Sequence, residues 1–372
     1  MPKKVGLIVN PVAGMGGRVG LKGTDGTTVA ARARKLGASP ESPRRAVDAL
    51  RVLARIKDEI EILAAPGAMG QEEVVSAGMK GTIIGSAPKG RTGPEDTVAA
   101  ARAMKRAGID LLLFVGGDGT AGDIHRAVGR TLVVLGIPAG VKMHSAVFGR
   151  TPRAAAEAAI EYLHSPRPQS TNGEVMDIDE GSFGTGVVSA RLYGTLRIPK
   201  ETSLIQVGKS GSSHMAKGAA AGIAKELASI VEPKTLYILG PGTTTRDVLS
   251  ELGIRKTLLG VDVMLDGKLV AKDVTERKLA SLIRRRSAKI VATVIGGQGY
   301  LFGRGNQQIS AEIISKVGKE NIIVLATKEK LASLEGRPLL VDTGDEATDK
   351  LLTGHIRVIT GLNDYVVYRL SD

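Results

Sequence analysis

The apolar run Leu111-Leu112-Leu113-Phe114-Val115 ends directly on Gly116-Gly117-Asp118-Gly119-Thr120. Five apolar residues without alternation read as a strand buried on both faces, and the glycines that follow read as a tight turn at its carboxyl end. That pairing narrows the fold. Strands of this kind belong to parallel sheets covered by helices, which bind ligands outside the carboxyl ends of their strands. Glycines let backbone N–H groups come close to phosphate oxygens, while Asp118 can orient a hydroxyl or a magnesium ion at the same spot. Phosphoryl transfer is the chemistry such a turn suggests first.

The same order of strand, then glycine turn, recurs along the chain. Val5 to Val9 runs into Asn10-Pro11-Val12-Ala13-Gly14-Met15-Gly16-Gly17, Leu236 to Leu239 into Gly240-Pro241-Gly242-Thr243-Thr244-Thr245, and Ile290 to Ile295 into Gly296-Gly297-Gln298-Gly299. Between them, Pro43 opens a helical pattern, and short apolar runs follow at Ile60 to Ala64 and Thr82 to Gly85. Thr92-Gly93-Pro94-Glu95 has the spacing of a capping box, with Thr92 as the cap. A helix after Asp118 leads to the run Thr131 to Leu135, completing a βαβ unit.

Beyond Phe148 an Ala-rich helix, Pro152 to Leu163, precedes the connection Ser165-Pro166-Arg167-Pro168. Residues 174–200 favour antiparallel strands. Alternation of strand and helix resumes from Lys234, and Ile356 to Leu370 reads as a hairpin around Gly361-Leu362-Asn363-Asp364. These patterns predict an α/β protein of two domains. One covers residues 1–147 and carries the Asp118 signature. The other covers 148–372, β-rich near 174–200 and α/β beyond, its last segment packing back on the first domain.

Composition removes several function classes. No apolar stretch reaches the roughly 18 to 20 residues of a membrane span, and Met1-Pro2-Lys3-Lys4 leads into a strand rather than a signal peptide, so a cytoplasmic protein with no membrane partner is expected. The absence of Cys excludes disulfides, thiolate metal sites and cysteine nucleophiles. A formal charge of +13 draws in anions, but aromatic residues make up only 3% and no basic run is interleaved with them. Stacking platforms for nucleic acid are therefore not expected, and nucleotides are the better partners. The cluster Arg284-Arg285-Arg286 reads as a solvated helix face. Histidines 125, 144, 164, 214 and 355 show no metal-ligand spacing, so structural roles are expected for them and no protein metal site is predicted.

Gly117 to Gly122 satisfies G-x-G-x-x-G. A dinucleotide site of that type also wants a carboxylate at the end of the next strand, where this chain has Leu135-Gly136-Ile137-Pro138. Gly208-Lys209-Ser210 lacks the leading glycine of a phosphate-binding P-loop, since Ser203 stands there, and no G-x-S-x-G elbow occurs. A helix starting near Thr244 would aim its first amides and its dipole at an anion held by the threonine hydroxyls.

With these residues the chain resembles the ATP-NAD kinase family, in particular its archaeal-type and acetoin-cluster-like branch. Gly116-Gly117-Asp118-Gly119-Thr120 is similar to the signature shared with diacylglycerol kinases, sphingosine kinases and phosphofructokinases. Gly136-Ile137-Pro138-Ala139-Gly140-Val141-Lys142, Gly240 to Thr245 and Gly303-Arg304-Gly305-Asn306-Gln307-Gln308 resemble the branch itself. The resemblance implies a Rossmann-like first domain, a second domain with a β-rich part, and an active site in the cleft between them. It implies Asp118 as catalytic residue, contacting the adenosine ribose 2′-hydroxyl of NAD. Phosphate binding falls to Asn10, Gly14, Gly16, Gly17, Gly116, Gly117, Gly119, Thr120, Gly242, Thr243, Thr244 and Thr245.

The expected reaction moves a phosphoryl group from ATP or polyphosphate, with Mg²⁺, to NAD, giving NADP. A homo-oligomer is expected because relatives commonly form one. The family's Asn-Glu substrate dipeptide has no clear counterpart, and Glu174, Asp177 or Asp179 could take that role. A different hydroxyl acceptor, or a nucleotide sensor without turnover, stays open. Asp118→Asn is expected to remove proton acceptance and leave the fold intact.

Overall fold

The computed structural model describes residues 2–21, 27–88, 90–140, 143–178, 190–200, 204–206, 218–295 and 298–372. Asp179, Val187 to Ser189, Val141 and Lys142, the stretch from Gly208 through Met215 with Lys209 and His214, and Gly296-Gly297 lie outside the described residues. The chain divides into two compact units, one of residues 1–15, 23–30 and 39–209, the other of 16–22, 31–38 and 210–372.

Through the first unit run β1 (Lys3–Val9), α1 (Thr27–Lys35), α2 (Ser42–Leu53), β2 (Ile60–Ala64), α3 (Gln71–Ser76), β3 (Thr82–Ile83), α4 (Pro94–Arg106), β4 (Leu111–Gly116), α5 (Asp118–Val128), β5 (Val134–Pro138), α6 (Pro152–His164), β6 (Ser170–Ile178) and β7 (Ala190–Pro199). Of these, α1 passes into the second unit at its carboxyl half. Among the described residues the sheet has the order β3-β2-β1-β4-β5, parallel throughout. The chain moves outward from β1 to β3 and then returns to the other side of β1. The strand order therefore reverses between β1 and β4, which opens a crevice at their carboxyl ends. Every residue of β4 is buried, as its unbroken apolar run requires.

The described residues between 148 and 206 group with the first unit. Phe148 meets Phe114 of β4 edge to face at 5.3 Å. Ala155, Ala156, Ala158 and Ala159 of α6 are fully buried in the same core. β6 and β7 form an antiparallel ribbon, the pairing expected from their polar alternation. One local reading shifts by a residue. Gly93, extended at φ −137°, caps α4, and Asp96 reaches back to the Gly93 N–H at 2.8 Å. Pro94 at the first helical position fixes that start, which frees Glu95 to pair with Arg126 at 2.6 Å.

The second unit contains α7 (Ala219–Ser229), β8 (Leu236–Leu239), α8 (Thr243–Glu251), β9 (Asp262–Leu265), β10 (Lys268–Ala271), α9 (Glu276–Ile283), β11 (Ala288–Thr293), β12 (Tyr300–Phe302), α10 (Ala311–Val317), β13 (Ile322–Leu325), α11 (Lys328–Ala332), β14 (Leu339–Val341), α12 (Glu346–Leu352), β15 (Gly354–Gly361) and β16 (Asp364–Ser371). Its sheet runs β10-β9-β8-β11-β13-β15-β16-β14-β12, with β8, β11, β13 and β15 parallel. Strand order reverses again between β8 and β11. The closing hairpin is present around the expected turn, and β15 and β16 lie inside this sheet, between β13 and β14. Arg284, Arg285 and Arg286 are exposed.

Candidate functional site

In the first unit, three strand ends converge on Asp118. Asn10, directly after β1, donates its N–H to the Val115 carbonyl at 3.0 Å, and Ala139 and Gly140, directly after β5, donate theirs to Gly116 at 2.9 and 3.2 Å. The end of β4 is thus braced from both neighbours. Asn10 Nδ2 also donates to Thr120 Oγ1 at 3.0 Å, joining the first loop to the opening turn of α5. Glycine is required where these backbones touch: a Cβ on Gly140 would stand 2.9 Å from the Gly117 Cα, and one on Gly116 would stand 2.3 Å from Thr120 Oγ1.

Gly117 caps α5 with no side chain of its own, and Asp118 is the first residue of the helix. The half-buried carboxylate accepts the His144 N–H on Oδ2 at 2.7 Å and the Ser145 N–H on Oδ1 at 3.0 Å. Both oxygens are thereby fixed in direction. The loop that holds them is itself anchored. Ser145 Oγ accepts the Met176 N–H at 2.9 Å, and the Ala146 N–H donates to the Glu174 carbonyl at 2.8 Å, so β6 runs alongside it. Of the acidic residues weighed for substrate contact, Glu174 therefore lies on the strand beside this loop, with its side chain exposed. His144 is 3% exposed and participates through its backbone.

Sequence reasoning did not single out His144 and Ser145. The available signal was the glycine of Ala139-Gly140 after β5, since a strand adjacent to β4 must deliver its following loop to the same edge.

Gly16 and Gly17, although part of the first glycine loop, belong to the second unit, where a Cβ on Gly17 would lie 3.0 Å from the Gln307 side chain. Asn10 and Gly14 remain with Asp118, and Gly119 is exposed in the first turn of α5.

The second unit repeats the motif at its own strand-order reversal. Gly242, at φ 129°, caps α8 without a side chain, so nothing from the cap residue satisfies the first amides of the helix. The three threonines have different roles. Thr245 is fully buried and its hydroxyl donates to the Gly240 and Gly242 carbonyls at 3.0 Å each, which commits it to holding the loop. Thr244 Oγ1 accepts from Lys330 Nζ at 3.3 Å, and Thr243 is half-buried at the helix start.

Beside this loop, Gly242 donates to the Leu258 carbonyl at 2.9 Å. Nearby Lys256 is buried, and loss of hydration pushes its amine down to about 8, against the pull of Asp262. Among the described residues no group of three or more His, Asp or Glu side chains could hold a metal ion, and no helix is long and apolar enough to cross a membrane.

Comparison with known proteins was made against families, curated proteins and solved structures. Residues 5–166 match the ATP-NAD kinase N-terminal domain, and residues 235–370 match the ATP-NAD kinase C-terminal domain. No curated protein and no solved structure matches. The two matches follow one another along most of the chain and include the glycine-capped starts of α5 and α8, so the chain belongs to the ATP-NAD kinase family and is a phosphotransferase.

Proposed function

We propose that this kinase transfers the terminal phosphoryl group of ATP or polyphosphate to the adenosine ribose 2′-hydroxyl of NAD, giving NADP. The observation that carries the reading is the doubly anchored carboxylate of Asp118 at the carboxyl end of β4, at the point where strand order reverses. A carboxylate held in one direction by two backbone amides can orient a sugar hydroxyl for in-line attack and take its proton.

Catalysis of phosphoryl transfer rests mainly on positioning and charge stabilisation, and the uncapped amides of α5 and α8 are suited to phosphate oxygens. Mg²⁺ would enter as the counter-ion of the donor's phosphates, which is its usual mode in kinases. The family supports NAD and ATP-type substrates. NADH acceptance, another small hydroxyl acceptor and binding without turnover are the competing outcomes.

A panel of acceptors (NAD, NADH, glycerol, a hexose and a diacylglycerol) incubated with Mg²⁺ and γ-labelled ATP separates them, with labelled polyphosphate as a second donor. Label in NADP with the NAD arm only is the expected result. Label confined to another acceptor would replace NAD, and nucleotide binding with no label transferred would overturn the reading.

A further inference from the structure

Three neighbouring strand ends of the second unit place hydroxyls and one amine around the start of α8. After β8 come Thr243 and Thr244, at the end of β11 stands Thr293, and after β13 comes Lys330 on α11. Lys330 Nζ lies 3.3 Å from Thr244 Oγ1, so an ammonium sits at the first turn of a helix whose cap residue is glycine. Thr293 is 3% exposed, and among the described residues its hydroxyl has no hydrogen-bond partner. Its methyl stands against the cap: a Cβ on Gly242 would lie 2.8 Å from Thr293 Cγ2. A buried hydroxyl left without a partner carries a desolvation cost that a bound oxygen would remove.

We propose that Lys330 is the phosphate-binding cation of the α8 loop, acting with the Thr293 hydroxyl and the first amides of α8 on the phosphoryl oxygens of a nucleotide. Uncapped amides and a helix dipole favour an anion, and an ammonium at hydrogen-bond distance from the same turn supplies a full charge where the dipole supplies a partial one. Lys330 is half-buried, so its contact with phosphate is screened less than that of a surface lysine. The assignment deepens the kinase reading and rests on it for the natural ligand. The phosphate could belong to the donor or to the pyrophosphate of the dinucleotide.

The test is calorimetric titration of the full chain with inorganic pyrophosphate, then with NAD and with a non-hydrolysable ATP analogue plus Mg²⁺. None of these requires turnover, so a failure of the kinase reading leaves the result interpretable. Lys330→Ala should weaken pyrophosphate binding about tenfold, the size of a lost charge-assisted contact. Lys330→Arg should restore most of it, and Thr293→Val should weaken it several-fold. Lys316→Ala removes a charge of the same sign beside Ala288 and Asn321, at the amino ends of β11 and β13, and should change it by less than about twofold.

Whichever nucleotide loses affinity in parallel identifies the source of the phosphate. Pyrophosphate that fails to bind the parent protein, or binds Lys330→Ala as well as it binds Lys316→Ala, overturns the proposal. A pyrophosphate affinity that falls in Lys330→Ala only together with its melting temperature, beside parent affinity in Thr293→Val, does so too, since it marks Lys330 as a pin between α8 and α11.

Discussion

Asn10 and Thr120, 110 positions apart in sequence, are joined by a 3.0 Å hydrogen bond from Nδ2 to Oγ1 across the carboxyl ends of β1 and β4. The bond fixes the first turn of α5, and with it the direction of Asp118, to the loop of the neighbouring strand. Asn10→Leu also removes the acceptor of the Val12 N–H, and should lower phosphoryl transfer by more than tenfold while destabilising the protein by only about 1–2 kcal/mol, the worth of two hydrogen bonds. Initial rates set beside urea melts check this. A stability loss with an unchanged rate would show that the bond serves the fold alone.

The threonines that open α8 should separate by function. Thr245→Val removes the donor to the Gly240 and Gly242 carbonyls in a fully buried setting and should cost about 1–2 kcal/mol of stability. Thr243→Val, at a half-buried position, should leave the melting curve within about 0.5 kcal/mol of the parent and weaken nucleotide binding instead. Denaturant melts and nucleotide titrations of the two variants decide it.

Buried charge in the Gly303 to Gln308 loop gives a third expectation. Arg304 and Asp342 pair at 2.8 Å with both side chains almost fully buried, and the guanidinium lies 4.8 Å from the centre of the Tyr300 ring. Asp342→Asn removes the counter-charge 2.8 Å from the arginine and should cost about 3–5 kcal/mol, whereas the double replacement Arg304→Met with Asp342→Leu should recover much of that. Chemical denaturation of the single and double variants measures the difference. Equal losses in both would show that packing, not charge, sets the cost.

A fourth concerns pH. Glu73 on α3 is buried, its Oε2 has no hydrogen-bond partner among the described residues, and burial raises its carboxyl from the usual 4.5 to about 7, with the neighbouring Glu72 adding to the shift. Between these values the folded protein holds a proton that the unfolded chain releases, so this group's contribution is complete below pH 4.5 and is lost as pH rises towards 7. The full span corresponds to something on the order of 3 kcal/mol. Glu73→Gln, neutral at every pH, should be more stable than the parent at pH 8, with the gap closing towards pH 4.5. A gap that does not vary with pH would contradict this origin.

Much of the architecture is written in local sequence. The unbroken apolar runs of β4 and β8 and the glycines after them define strand, turn and helix start without reference to the rest of the chain. The threonine loop at α8 was legible for the same reason. The partners that complete each site were not. His144 and Ser145 reach Asp118 from 26 and 27 positions away through backbone N–H groups, which no side-chain pattern reports. Lys330 reaches Thr244 from 86 positions away, only because β13 lies two strands from β8.

Asp118 carries the account, and its surroundings set the choice of variant. In Asp118→Asn the amide NH₂ would point at the N–H of His144 or Ser145, leaving a donor facing a donor, so that variant should lose about 1–3 kcal/mol as well as its rate and is not the silent replacement the sequence alone suggests. Asp118→Ala opens the position to water. NADP formation by the full chain with NAD, Mg²⁺ and ATP or polyphosphate, with NAD binding followed in parallel, is the direct measurement. The parent should turn over, and Asp118→Ala should lose on the order of 10²-fold or more in rate with NAD affinity within a few-fold of the parent. An Asp118→Ala protein that makes NADP at the parent rate would contradict it.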